Sequence, residues 1–242
     1  MIINHQYRFI FLKTRKTAGT SIEIALSQFC GEGDVLTPIS EDDEHLRRQA
    51  GYAGPQNHQF PLARMQGRDW LQWCRSRQRP GFRRHASITK VRKHVPRDIW
   101  KNYFKFCFER NPFDKAISRY YWSTSAPRPA IDDFLETAPP LLLSNWNTYT
   151  VDDELAVDFI GRYENLVEEL SQVASRLGLP GTIDLPLAKV GVRTNRDHYS
   201  NVLNSQARSR IESVCAKEIA AFNYQWCESS EVEATGRPSV SI

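Results

Sequence analysis

The stretch Phe9-Ile-Phe-Leu-Lys-Thr-Arg-Lys-Thr-Ala-Gly-Thr-Ser-Ile-Glu-Ile-Ala-Leu26 decides how this chain is read. Phe9 to Leu12 is a short apolar run, as a buried strand requires. Lys13 to Gly19 is a polar turn. Thr20 and Ser21 then open an amphipathic helix, with Ile22, Ala25, Leu26 and Phe29 on one face. A turn of this kind leaves backbone N–H groups unpaired at the helix N-terminus, where they and the helix dipole favour an anion. Lys16 adds a positive charge there, and Thr17, Thr20 and Ser21 add hydroxyls. The stretch therefore predicts a cradle for phosphate or sulfate. It is not a Walker A loop: no glycine precedes the turn, and Lys16 lies before the only glycine, Gly19, instead of directly before the hydroxyl residue. A capped turn with solvated cations is the plain alternative.

A second strand–turn–helix unit spans Tyr103 to Trp122. Phe104, Phe106 and Phe108 alternate, as one buried face of a strand does. Asn111 suits an N-cap and Pro112 the first helical position. Phe113, Ala116, Ile117, Tyr120 and Tyr121 form a core stripe. Arg110 stands at the strand's end, where an open α/β sheet binds its ligands, and can clamp an anion with two hydrogen bonds. Ser118 falls off the apolar stripe. A local pair of Arg110 with Asp114 is the structural alternative.

Taken together, the two units resemble the sulfotransferases that use 3′-phosphoadenosine 5′-phosphosulfate (PAPS), and within them the bacterial, Golgi-carbohydrate-like branch. Lys16-Thr17-Ala18-Gly19-Thr20-Ser21 looks like that family's 5′-phosphosulfate loop. Arg110 to Ser118 looks like its 3′-phosphate motif. Val157 to Leu166 and Glu218 to Tyr224 resemble later segments of the branch. Arg15 departs from the proline common at that position. The resemblance implies that Lys16 and the loop stabilise the leaving phosphate, that Arg110 and Ser118 hold the 3′-phosphate, and that Arg193, with Arg196 and Tyr199, lies in a late loop near the cofactor. His85, in Arg83-Arg-His-Ala-Ser87, resembles a K-H-[AS]-[ST] segment and is the candidate general base, because a near-neutral imidazole suits proton abstraction. Positioning of the next helix is its alternative role; His58 and Glu109 are the other candidate bases.

A chain of 242 residues with a net charge of +4 most simply makes one α/β domain. Alternating strands and helices predict a P-loop-like domain over 1–228, with a mostly parallel central sheet covered by helices on both faces, and a polar tail over 229–242. Five widely spaced cysteines form no C-x-x-C, so neither a disulfide framework nor zinc is expected. The scheme needs no metal. No apolar run is long enough to span a membrane, and no room is left for a signal peptide, which predicts a cytoplasmic protein. The region Gly31 to Gly67 has little periodicity and reads as a long loop on the substrate side.

Between Arg64 and Arg97 there are eleven Lys or Arg residues and one acid, Asp69. Such a stretch attracts anions, and Trp70, Trp73 and Phe82 interleave with it. Trp70 and Cys74 also fit an ordinary core stripe. The expected activity is sulfuryl transfer from PAPS to a hydroxyl on a carbohydrate or small metabolite, with no nucleic-acid partner. A nucleotide-dependent kinase and a nucleic-acid-binding module using residues 64–97 are the competing readings. The first lacks its Walker loop, and the second gives no reason for two anion cradles.

Overall fold

The computed structural model describes residues 1–186, 193 and 195–229. The expected tail beyond Ser229, and residues 187–192 and 194 of the late loop, lie outside the described residues. Chain order begins β1 (Ile2–Asn4), β2 (Phe9–Phe11), α1 (Gly19–Ser27), β3 (Val35–Leu36), α2 (Glu41–Gln49), α3 (Gly67–Ser76), α4 (Ile88–His94), α5 (Arg97–Asn102) and β4 (Phe104–Glu109). It continues through α6 (Pro112–Ser123), α7 (Ile131–Thr137), α8 (Pro140–Leu143), α9 (Trp146–Tyr149), β5 (Thr150–Val151), β6 (Glu154–Leu155), β7 (Phe159–Arg162) and α10 (Leu166–Leu177). The last helices are α11 (Tyr199–Val202), α12 (Ser205–Val214) and α13 (Ala216–Phe222). No helix among the described residues is long and apolar enough to cross a membrane.

The fold is mixed α/β, and the chain gathers into two compact units. The first comprises residues 1–14, 18–108 and 147–188; the second, 15–17, 109–146 and the remainder. In the first, a five-stranded sheet runs in the order β3-β1-β2-β4-β7. β2 and β4 are parallel, with Phe9 beside Phe104 and Phe11 beside Phe106. β1 is antiparallel to both β2 and β3. The sheet is therefore mixed, not mostly parallel as the alternation of elements predicts. The cause is local. Ile2 to Asn4 forms a strand of its own, and the Asn4 side chain accepts from the Tyr7 amide at 2.7 Å, turning the chain back with Arg8 left-handed. An asparagine folding onto its own backbone is a common turn device.

Phe9, Phe11, Phe106 and Phe108 meet Ile22 and Leu26 of α1 and Leu166, Leu170 and Val173 of α10 in one core. Burying each large side chain contributes roughly 1.5–3 kcal/mol. Gly178, at φ 64°, ends α10 in the left-handed conformation. The region read as a bare loop after α1 holds β3 and α2, and Arg47 of α2 is fully buried. Its single buried cation has no apolar period to announce it.

The second unit packs α6, α7, α8, α12 and α13 around Phe113, Ile117, Leu135, Leu143, Leu203 and Ile211. Asn111 caps α6 by accepting from the Phe113 amide at 3.0 Å. The ring of Phe113 stacks on Tyr199, with centroids 5.3 Å apart.

Candidate active site

The first turn is built under strain. Lys16 and Ala18 are both left-handed, at φ 62° and 55°. Side chains rarely adopt that region, at a cost of order 1–3 kcal/mol each, and such residues gather at functional sites. Ala18 precedes α1 without a side-chain cap, so the N-cap residue supplies no acceptor to the first helical N–H groups. A Cβ on Gly19 would stand 2.8 Å from Cγ of Lys13 and 3.3 Å from the Thr14 carbonyl, which is why glycine opens the helix. Thr20 and Ser21 are buried in the first turn. The Thr14 hydroxyl donates to the Phe108 carbonyl and ties the turn to β4.

Lys13, buried, is spent on structure: its Nζ lies 3.0 Å from Glu23 Oε2. Glu23, fully buried in α1, also accepts from the Met1 amine and the Thr37 hydroxyl and lies 3.7 Å from Arg47. Burial pushes the Glu23 carboxyl up, but the amine, Lys13 and Arg47 together hold it below its ordinary value.

His85 stands in the same unit, half-buried, with Nδ1 2.8 Å from the Lys13 carbonyl. A carbonyl only accepts, so Nδ1 carries the proton and Nε2 is the basic nitrogen of the neutral ring. That is the tautomer a general base needs. Three other histidines are differently engaged. His94 stacks on Phe60 and meets Asp69, His5 pairs with Tyr103, and His198 caps α11. His58 is half-buried, and burial lowers its pKa.

In the second unit the structure brings Lys16 and Arg110 together: an Arg110 Nη1 reaches the Lys16 carbonyl at 3.5 Å. Asp114 pairs with Arg193, at 3.0 Å, and Arg193 also donates to the carbonyls of Asn195 and Asp197. Arg193 thus pins the late segment to α6, the helix that carries the half-buried Ser118. The Lys16 ammonium rests 4.7 Å above the Trp122 ring. Contacts of that kind at exposed positions contribute only about 0.5–1 kcal/mol, so an anion displaces them readily. Partial burial lowers the pKa of Arg15, and both burial and the Arg15 charge lower that of Arg119. Cations that repel one another in this way suit a polyanion.

Beneath this turn lies a buried brace. Asn145 accepts from the Arg15 amide at 2.9 Å and donates to the Arg15 carbonyl at 3.1 Å. Asn145 Nδ2 also donates to Glu109 Oε1 at 3.2 Å, which further receives the Arg110 amide and Lys115 Nζ. Glu218 lies 3.8 Å from Lys115. Burial alone would lower Lys115, but Glu109 and Glu218 reverse that and raise it. Fully buried and holding three donors, Glu109 serves as an anchor, which disfavours it as a base. No local sequence pattern marks Asn145 or Arg119 as part of this cluster. Asn145 acts from 130 positions away, while Arg119 directly follows Ser118 and its charge was the one available signal.

The model of the sulfotransferase family matches residues 1–128, a span that holds both turns, His85 and Ser118. The chain belongs to the sulfotransferase family. An uncharacterized protein of Archaeoglobus fulgidus is 35% identical over 126 residues, which cover 47% of this chain and 96% of that relative. No solved structure gives a significant match. Family membership makes the chain a transferase of the sulfuryl-transfer class. Asn145 and Arg193 lie beyond the matched span.

Proposed function

We propose that this sulfotransferase takes its sulfuryl group from PAPS and passes it to a hydroxyl of a carbohydrate or small hydroxylated metabolite in the cytoplasm. The observation that carries the reading is the Arg110 guanidinium at the Lys16 carbonyl, which brings Arg110 to the segment that carries Arg15 and Lys16 in one unit. A ligand with phosphates at two positions fits these cations better than a single charge does. The donor supplies the SO₃ group and leaves as 3′-phosphoadenosine 5′-phosphate.

This chain's residues then have distinct tasks. Lys16, with Thr17, the left-handed Ala18 and the backbone and hydroxyls of Gly19, Thr20 and Ser21, stabilises negative charge on the leaving phosphate, where fixed donors act with little reorganisation. Arg110 and Ser118 hold the 3′-phosphate and set the register. Arg193 orders the late segment against α6. His85 accepts the acceptor's proton at Nε2, with Nδ1 fixed on the Lys13 carbonyl. The carbohydrate-type acceptor is supported by the resemblance of the two turns to that branch.

Incubation with radiolabelled PAPS and a panel of sugars, phenols and amines tests the reading, with His85→Asn beside the natural chain. Label should pass to a hydroxyl acceptor, and His85→Asn should lose most turnover while still binding 3′-phosphoadenosine 5′-phosphate. Transfer to amines alone would contradict the acceptor class. Full activity in His85→Asn would move the base elsewhere.

A further inference from the structure

Helix α3 turns its apolar side away from the protein. Trp73, Trp70, Cys74 and Leu71 share one arc of the helix, yet Trp70 is 43% and Leu71 59% exposed. Leu62, in the short 3-10 turn just before, is 51% exposed. The rings of Trp70 and Trp73 lie 5.6 Å apart, so they form one surface. The helix is held in this orientation by its polar side. Asp69 is its buried residue, closing a capping box with Gln66 and facing His94 Nε2 at 3.0 Å. His94 in turn is stacked 3.7 Å from buried Phe60.

This arrangement also sorts the charge. Asp69, the one acid between Arg64 and Arg97, points inward, while Arg64, Arg68, Arg75, Arg77, Arg83 and Arg84 are all exposed. An outward indole and leucine face bordered by arginines is the composition of a helix that lies in a bilayer interface. We propose that α3 and the turn before it dock this protein on an anionic membrane surface. A second copy of the chain is disfavoured, because it would bring the same arginines against one another. A polyanion in water would use the arginines and indoles but leave Leu62 and Leu71 exposed; a bilayer interface takes both. The proposal is independent of the donor and acceptor reading above.

The test uses the full chain, co-sedimented with phosphatidylcholine vesicles with and without phosphatidylglycerol. Binding should require phosphatidylglycerol and weaken as salt rises. Trp70→Ser with Leu71→Ser should lower vesicle affinity by about tenfold or more, since both side chains leave the interface. Arg68→Glu with Arg75→Glu supplies a second, exposed pair of changes with the same expected direction. Four results would each overturn the proposal: no binding to phosphatidylglycerol vesicles at low salt, equal binding to neutral vesicles, no loss in either variant, or a lipid-free dimer that the Trp70 and Leu71 changes abolish. An oligonucleotide bound in preference to the vesicles would assign the face to nucleic acid instead.

Discussion

Each of the two turns is backed by a fully buried glutamate, and the two are used in opposite ways. Glu23, behind the first turn's helix, gathers two cations, Lys13 at 3.0 Å and Arg47 at 3.7 Å, and the Met1 amine at 2.8 Å, whose pKa burial pushes down to about 5. One of the turn's own lysines is thereby consumed in holding the fold. Glu109 spends its charge on Lys115, from within α6, and reaches Arg110 by a backbone amide and Arg15 through Asn145. It grips the turn by its main chain. The acid thus orders the segment that carries Arg15, Lys16 and Arg110 through neutral groups and not through their charges. A buried acid can neutralise a binding loop or shape it, and the difference lies in whether it meets side chains or backbone.

The comparison breaks most severely at Lys115. Lys115→Met leaves Glu109 and Glu218 buried without their cation, which should destabilise the protein by about 3–5 kcal/mol; urea unfolding measures it. A loss within experimental error would mean that the pair does not brace the turn. Next comes Lys16→Ala. It should slow the chemical step about 10²–10³-fold, by analogy with losing one preorganised charge-stabilising donor, and change donor affinity less. Single-turnover kinetics beside calorimetry separates the two.

Asn145→Ala sharpens the contrast. It removes two hydrogen bonds to Arg15 and one to Glu109, each typically contributing about 0.5–1.5 kcal/mol. If Asn145 acts by positioning Lys16, its effect on turnover should shrink in the Lys16→Ala background, a coupling that a double-mutant cycle reads directly. Additive effects would make Asn145 merely structural.

The smallest effect is the acid limb of stability. Glu23 is held below its ordinary value of 4.5, so its contribution is present above that pH and is lost as pH falls through the lower folded value. Glu23→Gln should flatten that limb while also lowering stability at neutral pH, because Lys13 and Arg47 lose their buried acid; thermal unfolding across acid pH reads the limb. An unchanged limb would place the acid sensitivity on other carboxylates.

Much of this was legible from residues because the signals were local and repeated. Strand β4 falls on Phe104, Phe106 and Phe108, and α6 starts at Asn111-Pro112, as periodicity and capping place them, although β4 is buried on both faces, Lys105 and Cys107 included. Strand β1 escaped because three residues are too few to alternate. Helix α3 fits a core stripe in sequence but presents Trp70 and Cys74 outward, since the buried Asp69–His94 contact, invisible to a hydrophobic pattern, fixes its rotation. The left-handed Lys16 and Ala18 escaped too, because without glycine nothing local marks such a backbone. Of the site, the charged residues of both turns were readable; the neutral brace through Asn145 was not, because its partners are brought together only by folding.

The account rests on Arg110 reading a 3′-phosphate beside the Lys16 turn. Calorimetric titration of Arg110→Ala with 3′-phosphoadenosine 5′-phosphate and with adenosine 5′-phosphosulfate, which lacks the 3′-phosphate, tests this most directly. The account predicts that the first ligand loses about 1.5–3 kcal/mol per charge-assisted hydrogen bond while the second is little changed. Equal losses for both ligands, or no binding of either by the natural chain, would contradict it.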